Sequence, residues 1–166
     1  IIRRFEKELL LILSNRAQVQ LYINRAHTVF PVIEKIAHNG LLLGILLRAN
    51  YQSKGIEFFT PDEFSQQLGY MNREKGYVIP PHVHNPVVRE VQYTKEVLFI
   101  KSGKVRADFY DENQGYLESR ILCQGDVLLL AYGGHGFEML ERSEMIEVKQ
   151  GPYAGESDKT RFEPVG

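Results

Sequence analysis

From Glu96 onward, apolar and polar positions alternate in brief runs punctuated by glycine, which is the period of half-buried strands rather than of helices. Glu96 to Lys101, Lys104 to Tyr110, Leu117 to Leu122, Asp126 to Ala131, Phe137 to Leu140 and Met145 to Lys149 each read as one strand, with Gly76 to Pro80 as a further strand before them. Many short strands at such spacing predict a sandwich or barrel. Between Val32 and Leu47 two apolar runs flank Asn39-Gly40, a pair suited to the positive φ angles of a tight turn, so a β-hairpin is predicted there. Thr60-Pro61-Asp62-Glu63 reads as a helix start, with Thr60 as the cap and Pro61 in the first turn, and Gly69 as the stop.

The ends are less regular. Phe5, Leu9, Leu10, Ile12 and Leu13 fit a short amphipathic helix, while Val19, Leu21 and Ile23 alternate like a strand. Arg3, Arg4 and Lys7 precede the apolar run from Leu9 to Leu13, but Glu6 and Glu8 interrupt it, so it reads as part of the fold rather than a leader. The expected organisation is an N-terminal extension over residues 1–30, a β-domain over 31–152 and a surface tail over 153–166.

Composition narrows the functional classes. A hydrophobic fraction of 43% in 166 residues suits one globular domain. Twenty basic and twenty-one acidic residues nearly cancel, which argues against a phosphate backbone or an anionic lipid surface as partner. No run has the ~18 consecutive apolar residues of a membrane span. Cys123 is the single cysteine, so no internal disulfide forms and a reducing compartment, the cytoplasm, is expected. Cys123 itself reads as a packed small residue rather than a nucleophile.

The candidate chemistry lies in the strand-rich half. His82 and His84 stand two apart in Pro80-Pro81-His82-Val83-His84, so on an extended chain both imidazoles point the same way and can converge on one ion. Glu96 opens a strand in which it shares a face with Leu98 and Ile100, placing a carboxylate on an apolar side, where it needs a compensating partner. His135 lies in Gly133-Gly134-His135-Gly136, where the glycines would let the chain turn tightly.

These spacings resemble the two motifs of the cupin superfamily. In the first motif, five residues separate Gly76 from His82-Val83-His84 and six separate Glu96 from Gly103; in the second, Gly125 is followed by five residues and then Ala131-Tyr132-Gly133-Gly134-His135. The likeness covers residues 76 to about 140. Three departures stand out: eleven residues lie between His84 and Glu96, Ala131 replaces a proline, and His135 arrives one residue early. The long gap makes Glu90 a rival to Glu96. The asparagine expected after the last histidine is absent, with Met139 near its place.

The resemblance implies a jelly-roll (double-stranded β-helix) barrel holding one divalent transition metal (Fe, Mn, Ni, Co or Zn) on His82, His84, Glu96 and His135. It implies a small-molecule ligand or substrate entering the mouth, with Tyr77, Tyr93, Phe99, Arg106, Tyr132 and Phe137 as pocket candidates. The activities it suggests are sugar or sugar-nucleotide isomerisation or epimerisation, or oxygenation; the alternative is a non-catalytic binding module with a structural metal. It also implies a homodimer, with the leucine-rich hairpin around Asn39-Gly40 as the partner face and packing within one chain as the equal alternative.

Overall fold

The computed structural model describes residues 31–152 and 155–163. The expected N-terminal extension, with its helix or strand, lies outside the described residues, as do positions 153, 154 and 164–166 of the expected tail.

The hairpin forms where predicted. Strand β1 (Ile33–His38) pairs antiparallel with β2 (Leu41–Leu47), and the turn between them has Asn39 at φ 48° and Gly40 at φ 80°. A register shift between Ile36 and Ala37 leaves an extra residue on β2. Strict alternation is broken there: Leu43 and Leu46 face one apolar cluster, whereas Leu42, Ile45 and Leu47 face another.

The remaining strands are β3 (Gly55–Phe58), β4 (Gly69–Asn72), β5 (Glu96–Ser102), β6 (Lys104–Tyr110), β7 (Tyr116–Cys123), β8 (Val127–Leu130), β9 (Gly134–Met139) and β10 (Glu144–Lys149). A five-stranded sheet has the order β1-β2-β8-β5-β10, a three-stranded sheet has β7-β6-β9, and β3 and β4 form a separate pair. All pairings are antiparallel. From β5 onward the chain crosses between the two larger sheets at Gly103, at Gly125, at Gly133 and again over residues 140–143.

The main core lies between those two sheets. Ile36, Leu46, Leu98 and Leu128 from the larger sheet meet Val105, Phe109 and Leu122 from the smaller one, all at 2% exposure or less. Burial of each such side chain contributes about 1.5–3 kcal/mol. The predicted mainly-β class stands, and of the predicted sandwich or barrel the described residues show no closed barrel. Among the described residues the sheets are not hydrogen-bonded edge to edge, because the chain changes sheet at tight corners that carry no ladder across. The arrangement is an open two-sheet sandwich.

Three local expectations are corrected. The helix after Thr60 is absent: the chain makes one turn, Phe64 N–H to Pro61 O at 3.1 Å, and Thr60 Oγ1 accepts the amide of Leu68 across the β3–β4 connection. Too few apolar residues lie between Pro61 and Leu68 to anchor a helix, and so short a helix has little stability of its own. Gly76 to Pro80 is not a strand but part of an irregular stretch over residues 73–95. Pro80 and Pro81 have no N–H for a ladder, and Pro86 repeats the interruption. Cys123, expected to be packed, is exposed at the end of β7.

The second cluster explains the leucine-rich β2. Phe59 and Leu68, flanking the β3–β4 connection, cover Ile45, Leu47 and Leu129, and Tyr51 packs edge-on against Phe59 and Tyr70 with ring centroids at 5.3 and 4.9 Å. Both faces of β2 are therefore covered within one chain.

Candidate functional site

Alternation along β5 sends Glu96, Leu98 and Ile100 inward, and all three are buried. Along β9 His135 is in register with inward-facing Phe109, and Phe137 packs on the main core. The first inward residue of β5 and that of β9 thus come from opposite sheets to the same open end of the sandwich. His135 Nε2 lies 3.2 Å from Glu96 Oε2, with the glutamate side chain 11% exposed and the imidazole 31% exposed. Only the histidine is readily reached from outside.

The strand carrying His135 starts at a constrained point. Gly133 has φ +74°, and a Cβ there would stand 2.6 Å from Tyr110 O and 2.9 Å from a methyl of Leu43. Only glycine meets both the conformation and the close approach. The glycines therefore bend the chain before β9, and His135 lies within the strand rather than on the turn.

The hydrogen bond with His135 holds the Glu96 carboxyl below its ordinary range, against burial, which acts the other way; the charges of Lys159 and Lys149 add to the lowering. The buried carboxylate that the sequence left needing a partner has one. An imidazole that donates Nε2–H to this carboxylate keeps its other nitrogen as an acceptor. Such a pair can hold or move a proton at His135.

Around the pair opens a pocket of about 670 Å³, lined by residues 92–94, 130–136 and 157–162 together with Glu96 and Tyr110. Leu130 and Ala131 are buried beneath it. Tyr93 and Tyr132 form an edge-to-face pair at 5.1 Å in its wall. The size is that of a small-molecule site.

The structure brings together Glu96, His135, Tyr93 and Tyr132, and places Phe137 just beneath, its ring 5.6 Å from that of His135. Other candidates lie elsewhere. His82 and His84 sit on the exposed 73–95 stretch with their rings 5.2 Å apart, and His82 Nδ1 lies 3.0 Å from Pro80 O. Glu90 is exposed on the same stretch and accepts from Gln92 at 3.1 Å. Tyr77 lies under the guanidinium of Arg73, Phe99 points to the outer face of β5 with 41% exposure, and Arg106 pairs with Asp108 and Glu138.

In this arrangement the four implied ligands do not fit a metal ion. Among the described residues no three His, Cys, Asp or Glu side chains stand close enough to share one. Glu96 and His135 face each other, and the other two histidines face neither.

Against protein-family models, curated proteins and solved structures, the chain has no match. No helix among the described residues is long and apolar enough to cross a membrane.

One wall of the pocket left no mark in the sequence pattern. Residues 157–162, assigned to a surface tail, line the pocket, with the Phe162 ring edge-on to Tyr110 at 5.1 Å and Lys149 Nζ bound to Asp158 at 3.1 Å. The only sequence signal was an aromatic residue, Phe162, beside Lys159 and Arg161 in a stretch with no strand or helix period.

Proposed function

We propose that this chain is a cupin-type, jelly-roll protein that binds a small polar molecule at the open end of its sandwich, with Glu96 and His135 as the reactive centre. The observation that carries the reading is the meeting of a buried carboxylate and a half-exposed imidazole in a pocket of about 670 Å³. Such a pair by itself serves proton transfer next to a carbonyl, the step shared by isomerisation and epimerisation. Ligand titration into isotopically labelled protein tests this: amide signals over residues 130–136 are expected to shift saturably. His135→Ala, which removes the imidazole exposed to the pocket, is expected to weaken binding by roughly tenfold. Shifts confined to residues 77–91, or unchanged affinity in the variant, would count against the site.

A second reading keeps the metal. The stretch bearing His82 and His84 runs on into Gln92, Tyr93 and Thr94, which line the pocket, so its far end is already attached to the site. In this reading the stretch folds inward and the two histidines join Glu96 and His135. Elemental analysis is then expected to find about one transition metal per chain, lost in the His82→Ala, His84→Ala double variant. Equal metal content in both proteins would remove this reading and leave the first intact.

A further inference from the structure

The pocket has two unlike walls. On one side Tyr93 and Tyr132 present ring edges and faces. On the other, residues 157–162 bring Ser157, Lys159, Thr160 and Arg161, two hydroxyls and two cations within six positions, all of them hydrogen-bond donors. The lining holds two carboxylates. Glu96 is bound by His135 at 3.2 Å and also feels the charges of Lys159 and Lys149, and Asp158 is bound by Lys149 at 3.1 Å, so each carboxylate already has positive or protonatable neighbours. Glu112, outside the lining, acts on Tyr132. Whereas basic and acidic residues nearly cancel over the whole chain, the wall made by residues 157–162 favours an incoming negative charge.

The donor-rich wall is tied to the sandwich at two points. The Asp158–Lys149 bridge fastens one end to β10. At the other end Phe162 lies against β9, where a Cβ on Gly134 would stand only 3.1 Å from its ring, and packs on Tyr110 of β6. Between those anchors lie Lys159, Thr160 and Arg161.

We infer that the pocket takes a small organic carboxylate, its charge met by Lys159 with Thr160 beside it, and its planar or apolar body set against Tyr93 and Tyr132. This rests on the proposed role of the pocket and names the class of its ligand. An exposed lysine acts through partly screened charge, so its share of the affinity is modest and salt-sensitive.

The test uses benzoate and its neutral isostere benzamide, each titrated into labelled full-length protein at low ionic strength. Benzoate is expected to shift amides in both 130–136 and 157–162 and to bind at least about tenfold more tightly than benzamide. Lys159→Gln is expected to weaken benzoate about fivefold and leave benzamide unchanged, and Lys159→Arg to restore most of the loss. Equal binding of the two probes at those amides, or an unaltered benzoate affinity in Lys159→Gln, overturns the carboxylate assignment while the pocket stands. No shift over 130–136 with either probe overturns the assignment and the pocket together.

Discussion

Asp108 shows how one buried charge is kept on a strand that turns its other face to the core. It points away from Val105, Ala107 and Phe109, and Arg106, two positions back on the same face of β6, grips it with Nε and Nη2 at 2.9 and 3.1 Å. Ser119 donates to the same carboxylate from β7, with Tyr116 bonded to Ser119, while Glu138 of β9 engages the far side of Arg106. Burial acts to raise the Asp108 pKa, but the bonds from Arg106 and Ser119 outweigh it and the net shift is downward. A carboxyl with a lowered folded-state pKa contributes stability that is fully present above the unfolded value of about 4 and disappears as pH falls through the folded value. In urea unfolding, the stability advantage of the wild type over Asp108→Asn is expected to be about 1–2 kcal/mol at pH 7 and to close progressively as pH falls below about 4. A gap that stays constant across that range would show that the charge of Asp108 plays no part.

Strands were legible in the sequence wherever one face meets the core and the other meets solvent. β6 has the predicted bounds, Lys104 to Tyr110, because Val105, Ala107 and Phe109 alternate with Arg106 and Asp108. β2 was harder, since a bulge and cover on both faces erase the period, and only the Asn39-Gly40 turn gave it away. The segment after Thr60 carried every sign of a helix start, yet Thr60 bonds across to Leu68, and Phe59 and Leu68 are buried together with Ile45 and Leu129. Local capping signals yielded to tertiary packing. At the site, Glu96 could be placed from its inward phase on β5 and His135 from its glycines. Residues 157–162 could not be placed, because a segment with no strand or helix period leaves no periodic mark. Nor does the His82-x-His84 spacing reveal where an irregular stretch carries it.

For the molecule as a whole, two sheets that share no ladder must be joined by side chains as well as by the core. Arg48, just beyond β2, donates to Glu34 of β1 at 2.6 and 2.9 Å, to Asp126 in the turn before β8 at 3.0 Å, and to the carbonyl of Ile121 on β7 at 2.7 Å. Arg120 of β7 reaches the other oxygen of Glu34 at 2.7 Å. One guanidinium therefore spans both sheets, and Glu34 and Asp126 are both buried around it. Arg48→Ala is expected to cost about 2–3 kcal/mol in chemical denaturation, since it leaves buried carboxylates short of partners. Arg48→Lys is expected to recover only part of that, because an ammonium cannot reproduce the fork. Full recovery with lysine would reduce the contact to simple charge pairing.

The pairing of β2 with β8 has a consequence for how the chain is made. β8 begins at Val127, about eighty residues after β2 ends at Leu47, so at 5–20 residues per second the hairpin waits roughly 4–16 s for its neighbour. Through that interval Leu43, Ile45 and Leu46 lie along an open strand edge that the finished sheet will occupy. Until β8 arrives, that unpaired edge is a template for wrong strand pairing, a hazard of synthesis that the finished sheet no longer presents.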